Sequence, residues 1–405
     1  MKSKNLLITM SGGTTTVINA TLAGVIETAQ QSKQFERILV GAPGIIGILS
    51  EQIFDITGLS SAELQQLIFT PGSGFIGTTR VKKPDAKVAQ EFGEVLAKHE
   101  VGLFINIGGN GTIKQSKWLS KELKGQFDVI ALPKTVDNDL GDTTFEQVYF
   151  TPGFPSCANY WRHKTWMFNQ ENMGAFTHDR VLVSQQFGRK TGFITACARL
   201  ADPERKLPIV LLMPEDQRPW KEVIAAIEDR LQQFGRALVF ITEGYDIGDF
   251  EKRFDPSGQI NYSGSKSSVA QLMVNRLAEH DIVSRPFVPT FDQRIDVTYT
   301  STIDVEAAYG VGRYALKQYL KGEKHFFASI CKLENALNGI GFTTIPLEEI
   351  LDFSRVMPKE WIAEGQFDVT DAFVEYAEPL IGHGRIPTPN DIRRNHFFIP
   401  SIYAK

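Results

Sequence analysis

Short, uninterrupted apolar runs punctuate the chain: Leu6-Leu7-Ile8, Leu103-Phe104-Ile105, Val129-Ile130-Ala131-Leu132-Pro133, Val181-Leu182-Val183, Ile209-Val210-Leu211-Leu212 and Leu238-Val239-Phe240-Ile241. Runs of this length without polar alternation mark strands covered on both faces. Between them the apolar positions switch to helical spacing, as in Val223, Ile224, Ile227, Leu231 and Phe234, or Val269, Leu272, Met273 and Leu277. Strand and helix periods alternate, which predicts an α/β protein of two doubly wound, mostly parallel-sheet lobes. The first lobe is expected over 1–148, completed by about 293–345, and the second over 149–292. A C-terminal extension, 346–405, is expected to pack on the core or on a subunit interface; it carries Trp361, Phe367 and Phe373, then the basic pair Arg393-Arg394. The cleft shared by two such lobes is the default site.

Composition narrows the functional classes. With 405 residues, 42% hydrophobic and 22% charged, the chain can bury a large core. A formal net charge of −4 gives no global basic field for nucleic acid or anionic membrane, so anion binding has to come from local design. No apolar run reaches membrane-spanning length, and Met1-Lys2-Ser3-Lys4 leads directly into a short strand; the expected location is the cytoplasm. Cys157, Cys197 and Cys331 are too few and scattered for a disulfide framework and are expected as buried thiols. The seven histidines lack metal-ligand spacing, leaving oxygen and phosphate to hold any metal.

Candidate chemistry lies where apolar runs end. Ser11-Gly12-Gly13-Thr14 follows the first strand and precedes a helix, an arrangement that offers free N–H groups to an anion but also serves as a plain chain reversal. It matches neither GxGxxG nor GxxxxGK[ST], which argues against a dehydrogenase or a P-loop enzyme. Gly108-Gly109-Asn110-Gly111-Thr112 repeats the device after a second strand, and two such loops can cradle a polyphosphate. Lys134-Thr135-Val136-Asp137-Asn138-Asp139 ends a third strand with a cation for phosphate and two carboxylates suited to base and metal or hydroxyl partner. Arg80, Arg180, Phe187-Gly188-Arg189, Glu243-Gly244, Arg285 and Gln293-Arg294 lie near further turns, and arginine forks suit phosphate oxygens.

The ordered pieces SGG, GTTR, GGNGT, PKTVDND, FGR, PE, TEG and DQR resemble the phosphofructokinase family over nearly the whole chain. GTTRVKK, STIDVEAAYGVGRYAL and YAEPLIG resemble its bacterial pyrophosphate-dependent branch in particular. The resemblance implies that Asp137 is the base for the sugar 1-hydroxyl, with Thr135 and Asp139 beside it. Lys134 and Arg189 then neutralise the transferring phosphoryl. The sugar-phosphate side comprises Phe187, Gly188, Glu243 and Arg294, with Arg180 and Arg285 reaching across a subunit interface of a homodimer or homotetramer. The donor side comprises Gly12, Gly13, Arg80, Gly111 and Thr112, and Mg2+ is the implied cofactor.

The departures are specific. Asn110 stands where relatives carry a magnesium-binding aspartate, so Asp137 and Asp139 are left to hold the metal. Gly111 is the small residue associated with ATP, whereas Lys134 is typical of pyrophosphate enzymes. Phe187 replaces a methionine, and Phe291 stands where relatives have His or Tyr. The leading expectation is phosphoryl transfer from pyrophosphate to fructose 6-phosphate. The alternatives are ATP as donor, another sugar phosphate as acceptor, and a catalytically weak sugar-phosphate sensor.

Overall fold

The computed structural model describes residues 5–80, 85–248, 252–256, 258, 260–262, 265–333, 339–350 and 354–382. Arg393 and Arg394, and the first four residues, lie outside them. The chain divides into two units: the described parts of Met1–Cys157, Glu251–Lys266 and Thr290–Val356 form the first, and those of Ala158–Phe250, Ser267–Pro289 and Met357–Lys405 the second. Residues 251–266, expected inside the second lobe, thus belong to the first. The expected C-terminal extension is split between the two units at Val356.

The strands of the two main sheets are β1 (Asn5–Met10), β2 (Ile38–Gly41), β3 (Ile53–Asp55), β4 (Val101–Gly108), β5 (Asp128–Pro133), β6 (Val181–Gln186), β7 (Ile209–Leu212), β8 (Ala237–Thr242), β9 (Ser284–Phe287), β10 (Phe326–Lys332) and β11 (Ile340–Pro346). The first unit holds a seven-stranded sheet in the order β11-β10-β5-β4-β1-β2-β3. It is parallel except at its edges, where β3 and β11 pair antiparallel. The second unit holds a parallel sheet in the order β7-β8-β6-β9. Every apolar run read as a strand lies in one of these, and β1, β7 and β8 are buried along their whole length, as two-sided coverage requires.

Parallel strands present their carboxyl ends on one edge, so β1, β4 and β5, neighbours in the sheet, bring their following loops together. Two glycines seat a helix pair beneath this arrangement. A Cβ on Gly24, in Ile18–Ser32, would lie 2.2 Å from the Tyr309 carbonyl oxygen, and one on Gly312, in Thr302–Leu320, 2.2 Å from that of Thr21. Nearby, the buried Asp304 carboxylate accepts hydrogen bonds from Gly153 N (2.9 Å), Ser156 N (3.1 Å) and Ser156 Oγ (2.6 Å), satisfying donors at the start of the helix Phe154–Ala175. Burial raises its pKa to about 6.

In the second unit, described residues after Met357 pack against its core. The Trp361 ring contacts Phe193, Phe373 and Tyr376, and Leu211 N donates to the Phe367 carbonyl at 2.8 Å. Cys157 and Cys197 are buried thiols, while Cys331 is half-buried.

Candidate active site

The first unit assembles its site from three strand ends. Gly12 adopts φ +82°, and the turn it makes is held by Gly12 N donating to the Thr79 carbonyl (3.0 Å) and Thr78 Oγ1 donating to the Gly12 carbonyl (2.9 Å). A side chain here would meet Lys134, whose Nζ lies 3.3 Å from the Cβ position. At Gly13 the Cβ position is 3.1 Å from Arg294 Nη1 and 3.6 Å from Arg80 Nη2. Three cations therefore face one bare stretch of backbone. Lys134 is almost fully buried, and its pKa falls to about 8, chiefly because burial penalises its charge; Asp137 opposes that fall, and Arg294 and Arg80 add to it. Such crowding of like charge suits a bound anion that these cations share.

The acidic half of the loop is held from behind. Asn138 takes φ +56°, and its Oδ1 accepts from Thr151 N (3.1 Å) and Arg355 Nη2 (2.7 Å). Arg355 is wholly buried: Nε donates to the Asn138 carbonyl (3.0 Å), Nη1 to the Val148 carbonyl (2.5 Å) and its backbone N to the Asp139 carbonyl (2.8 Å). Its guanidinium also stacks 4.1 Å over the Phe145 ring. Thr151 Oγ1 donates to the Thr135 carbonyl (2.8 Å), and Thr135 Oγ1 accepts from Asp137 N (3.2 Å). These contacts hold the backbone on either side of Asp137 and Asp139.

Asn110, at the start of the helix Asn110–Glu122, donates from Nδ2 to Asp139 Oδ2 (2.8 Å) and to the Asp139 carbonyl (3.2 Å), with Ser354 Oγ at 3.1 Å. Burial, then the neighbouring Asp137, raise the Asp139 pKa to about 7; Asn110 and Arg355 hold it from rising further. The amide, expected as a weakened metal position, is a hydrogen-bond partner of the Asp139 carboxylate. Gly111 is exposed with open space around its Cβ position, whereas Thr112 is buried and packs on Gly108. Among the described residues no three His, Cys, Asp or Glu side chains gather as a metal site. Magnesium is commonly held by one or two carboxylates plus substrate phosphates, and Asp137 with Asp139 fits that pattern.

The second unit presents a paired loop. Gly188 takes φ +127° after β6, and Gly244 N donates to its carbonyl at 3.0 Å. A Cβ on Gly244 would lie 2.1 Å from the Arg189 carbonyl oxygen, so the Phe187-Gly188-Arg189 turn and the Glu243-Gly244 turn after β8 interlock. Glu243 is buried, while Phe187 and Arg189 are half-exposed. Glu215 of the PE pair accepts from Gly192 N (2.9 Å) and Met357 N (3.1 Å), and burial raises its pKa; it braces this loop. Arg180 precedes β6 and donates from Nε to the Gly235 carbonyl (3.3 Å), and Arg285, on β9, pairs with Asp179 at 2.5 Å. Both arginines are exposed and lie at the amino end of β6, the far end from Arg189 by roughly 20 Å of strand. One copy of this unit does not bring them to the Arg189–Glu243 loops.

Of the expected residues, the structure gathers Gly12, Gly13, Arg80, Lys134, Thr135, Asp137, Asp139, Asn110 and Arg294 in one unit, and Phe187, Gly188, Arg189 and Glu243 in the other. Arg294, expected on the sugar side, reaches the Gly13 turn. Arg355, Ser354 and Asp255 carry no local pattern and were not legible as site residues.

Parallel sheets with a glycine-lined cationic turn beside paired carboxylates define a protein built to handle phosphoryl groups. The Phosphofructokinase family profile matches residues 5–295. The chain is 31% identical to a pyrophosphate–fructose 6-phosphate 1-phosphotransferase of Methylococcus capsulatus, covering 94% of this chain and 92% of that one. It is 28% identical to the protein of that name in Rhodospirillum rubrum, covering 96% and 97%. The crystal structure of a pyrophosphate-dependent phosphofructokinase from Nitrosospira multiformis superimposes with a TM-score of 0.82 at 31% identity, covering 95% of this chain and 93% of that one. This chain belongs to the phosphofructokinase family. Among its described residues no helix is long and apolar enough to cross a membrane.

Proposed function

We propose that this protein transfers the terminal phosphoryl group of pyrophosphate to the 1-hydroxyl of fructose 6-phosphate, giving fructose 1,6-bisphosphate and orthophosphate. The observation that carries the reading is the convergence of Lys134, Arg80 and Arg294 on the bare Gly12-Gly13 turn, next to Asp137. The turn lets a compact polyanion approach the backbone, and the three cations offset its charge. Asp137 takes the proton of the sugar hydroxyl as that oxygen bonds to phosphorus; the bond to the bridging oxygen breaks, and orthophosphate leaves toward Lys134 and Arg80. Asp137 and Asp139 are the residues that would hold magnesium, which when bound offsets charge on the phosphate oxygens.

Family resemblance assigns Arg189 to the transferring group, Glu243 to the sugar phosphate, Thr135 to the reacting end, and Gly111 with Thr112 to the donor. Arg180 and Arg285 are assigned to the sugar site of a neighbouring subunit. Their position at the far end of β6 from their own Arg189–Glu243 loops supports that reading, and with it a homodimer or homotetramer. The proposed setting is cytoplasmic carbohydrate metabolism. A coupled assay is expected to give turnover with pyrophosphate and fructose 6-phosphate; turnover with ATP and none with pyrophosphate overturns the donor.

The Asn110 to Asp139 hydrogen bond favours a second reading, a weakly catalytic sugar-phosphate sensor, because an amide spends donors on a carboxylate that a metal would otherwise use. Asn110→Asp separates the two. For a competent enzyme we expect the substitution to change kcat by less than about tenfold, or about 1.4 kcal/mol. A nearly inert parent that gains several orders of magnitude supports the sensor.

A further inference from the structure

We infer that Asp255 is a positioning residue for the donor, acting through Arg80; the inference rests on the proposed assignment of Arg80 to the donor phosphate. Arg80 Nη1 lies 3.0 Å from Asp255 Oδ2, and the Asp255 side chain is only 5% exposed against 37% for Arg80. The pair joins residues 175 positions apart. Asp255 sits on a short antiparallel turn: Phe254 bridges Ile260, Asn261 N donates to the Arg253 carbonyl (2.7 Å), and Gly258 N donates to the Asp255 carbonyl (2.8 Å). The carboxylate is buried and paired, unlike a solvated surface charge.

The geometry divides the guanidinium into two faces. Nη1 is taken by Asp255, while Nη2 stays 3.6 Å from the Cβ position of Gly13, on the side of the anion-facing turn. The backbone before Arg80 is anchored to the same turn through Thr78 and Thr79. An arginine beside Lys134 and Arg294 is repelled by both, and its long side chain regains rotamer entropy by swinging into water. Asp255 opposes that escape without using the donors that face the turn. Arg80 is therefore oriented before any anion arrives, which lowers the ordering cost of binding.

The test is a double-mutant cycle read as KM for pyrophosphate, KM for fructose 6-phosphate and calorimetric pyrophosphate binding in the absence of sugar. Asp255→Asn, which keeps the side-chain shape, is expected to weaken pyrophosphate binding about tenfold, to leave KM for fructose 6-phosphate within twofold, and to be partly rescued by Asp255→Glu. In an Arg80→Ala background the same substitution is expected to change pyrophosphate binding by less than twofold. An equal loss in both backgrounds overturns the inference, because Asp255 then acts without Arg80. Unchanged binding in Asp255→Asn beside a weakened Arg80→Ala overturns it while the donor reading stands. Unchanged binding in Arg80→Ala removes Arg80 from the donor site, and this inference with it.

Discussion

Two clusters of charge in this molecule, each around one buried cation, are built on opposite terms. In the second unit, Arg199 is fully buried and fully matched: Nε and Nη2 donate to the two oxygens of Asp368 at 2.9 and 2.8 Å, and Nη1 donates to Asp202 Oδ2 at 2.9 Å. Asp202 also accepts from Lys206 N and Leu207 N. Burial still lifts the Asp202 pKa, yet every charge has an opposite charge in bonding range. In the first unit, Lys134 shares its space with Arg80 and Arg294, and Asp137 and Asp139 crowd one another. The first arrangement closes on itself and ties the C-terminal segment to the core. The second is left partly frustrated: Arg80 is paired with Asp255 and Asp137 opposes the fall of the Lys134 pKa, yet Arg294 and Arg80 still lower it, and a bound anion would offset that repulsion.

The largest effect should come from the frustrated cluster. Asp137→Asn removes the proposed base while keeping size and the loop clamp made by Arg355 and Asn138. We expect kcat to fall by about 10³-fold, within the range of general base catalysis, with fructose 6-phosphate binding nearly unchanged. Retained turnover would take Asp137 out of the chemistry, and loss of sugar binding would recast it as a binding residue.

The matched cluster should respond in stability and not in rate. Asp368→Asn leaves a buried guanidinium half-paired, for which about 3 kcal/mol of destabilisation is expected. Urea unfolding measures it, and kcat per folded molecule should stay within about twofold. A normal unfolding midpoint would show that the pair is dispensable. A collapse of kcat in stably folded protein would erase the distinction drawn between the two clusters.

The same contrast governs what the sequence discloses. Strands covered on both faces announce themselves as apolar runs, so the centres of both parallel sheets were legible, while β2, β9 and β10 were not read. The antiparallel edges were not: β3 is only Ile53–Asp55 and mostly exposed, with no run to read. Site loops were legible wherever glycine or charge follows directly on a buried strand, as at Gly12, Gly108 and Lys134. Arg355 and Asp255 escaped because their meaning lies wholly in partners 217 and 175 residues away. Nothing within a few positions of either distinguishes it from a solvated surface charge. Arg294 is legible by motif, whereas its approach to the Gly13 turn is not, since a motif does not say which way a long side chain turns.

The smallest and sharpest prediction concerns Lys134. Its lowered pKa, about 8, means that the free protein loses this charge as pH rises through that value, far below the ordinary lysine range. The sign for stability follows from the same shift: the cost of burying the charged form is present below about 8 and is relieved above it, where the unfolded chain still binds the proton. The sign for function is opposite, because the protonated form is the one that attracts an anionic donor. We therefore expect kcat/KM for pyrophosphate to decline on the alkaline side of about pH 8. Lys134→Arg keeps its charge throughout this range. Its absolute kcat/KM should drop severalfold, since a planar fork does not fit the space of an ammonium beside Gly12, but the alkaline decline should flatten. Pyrophosphate and the sugar phosphate titrate identically in both assays, so the ratio of the two profiles isolates the lysine. A ratio independent of pH between 7 and 9.5 would mean that Lys134 keeps its proton in the working enzyme. The repulsion of Arg80 and Arg294 at Lys134 would then be fully offset within the protein, as charge is around Arg199.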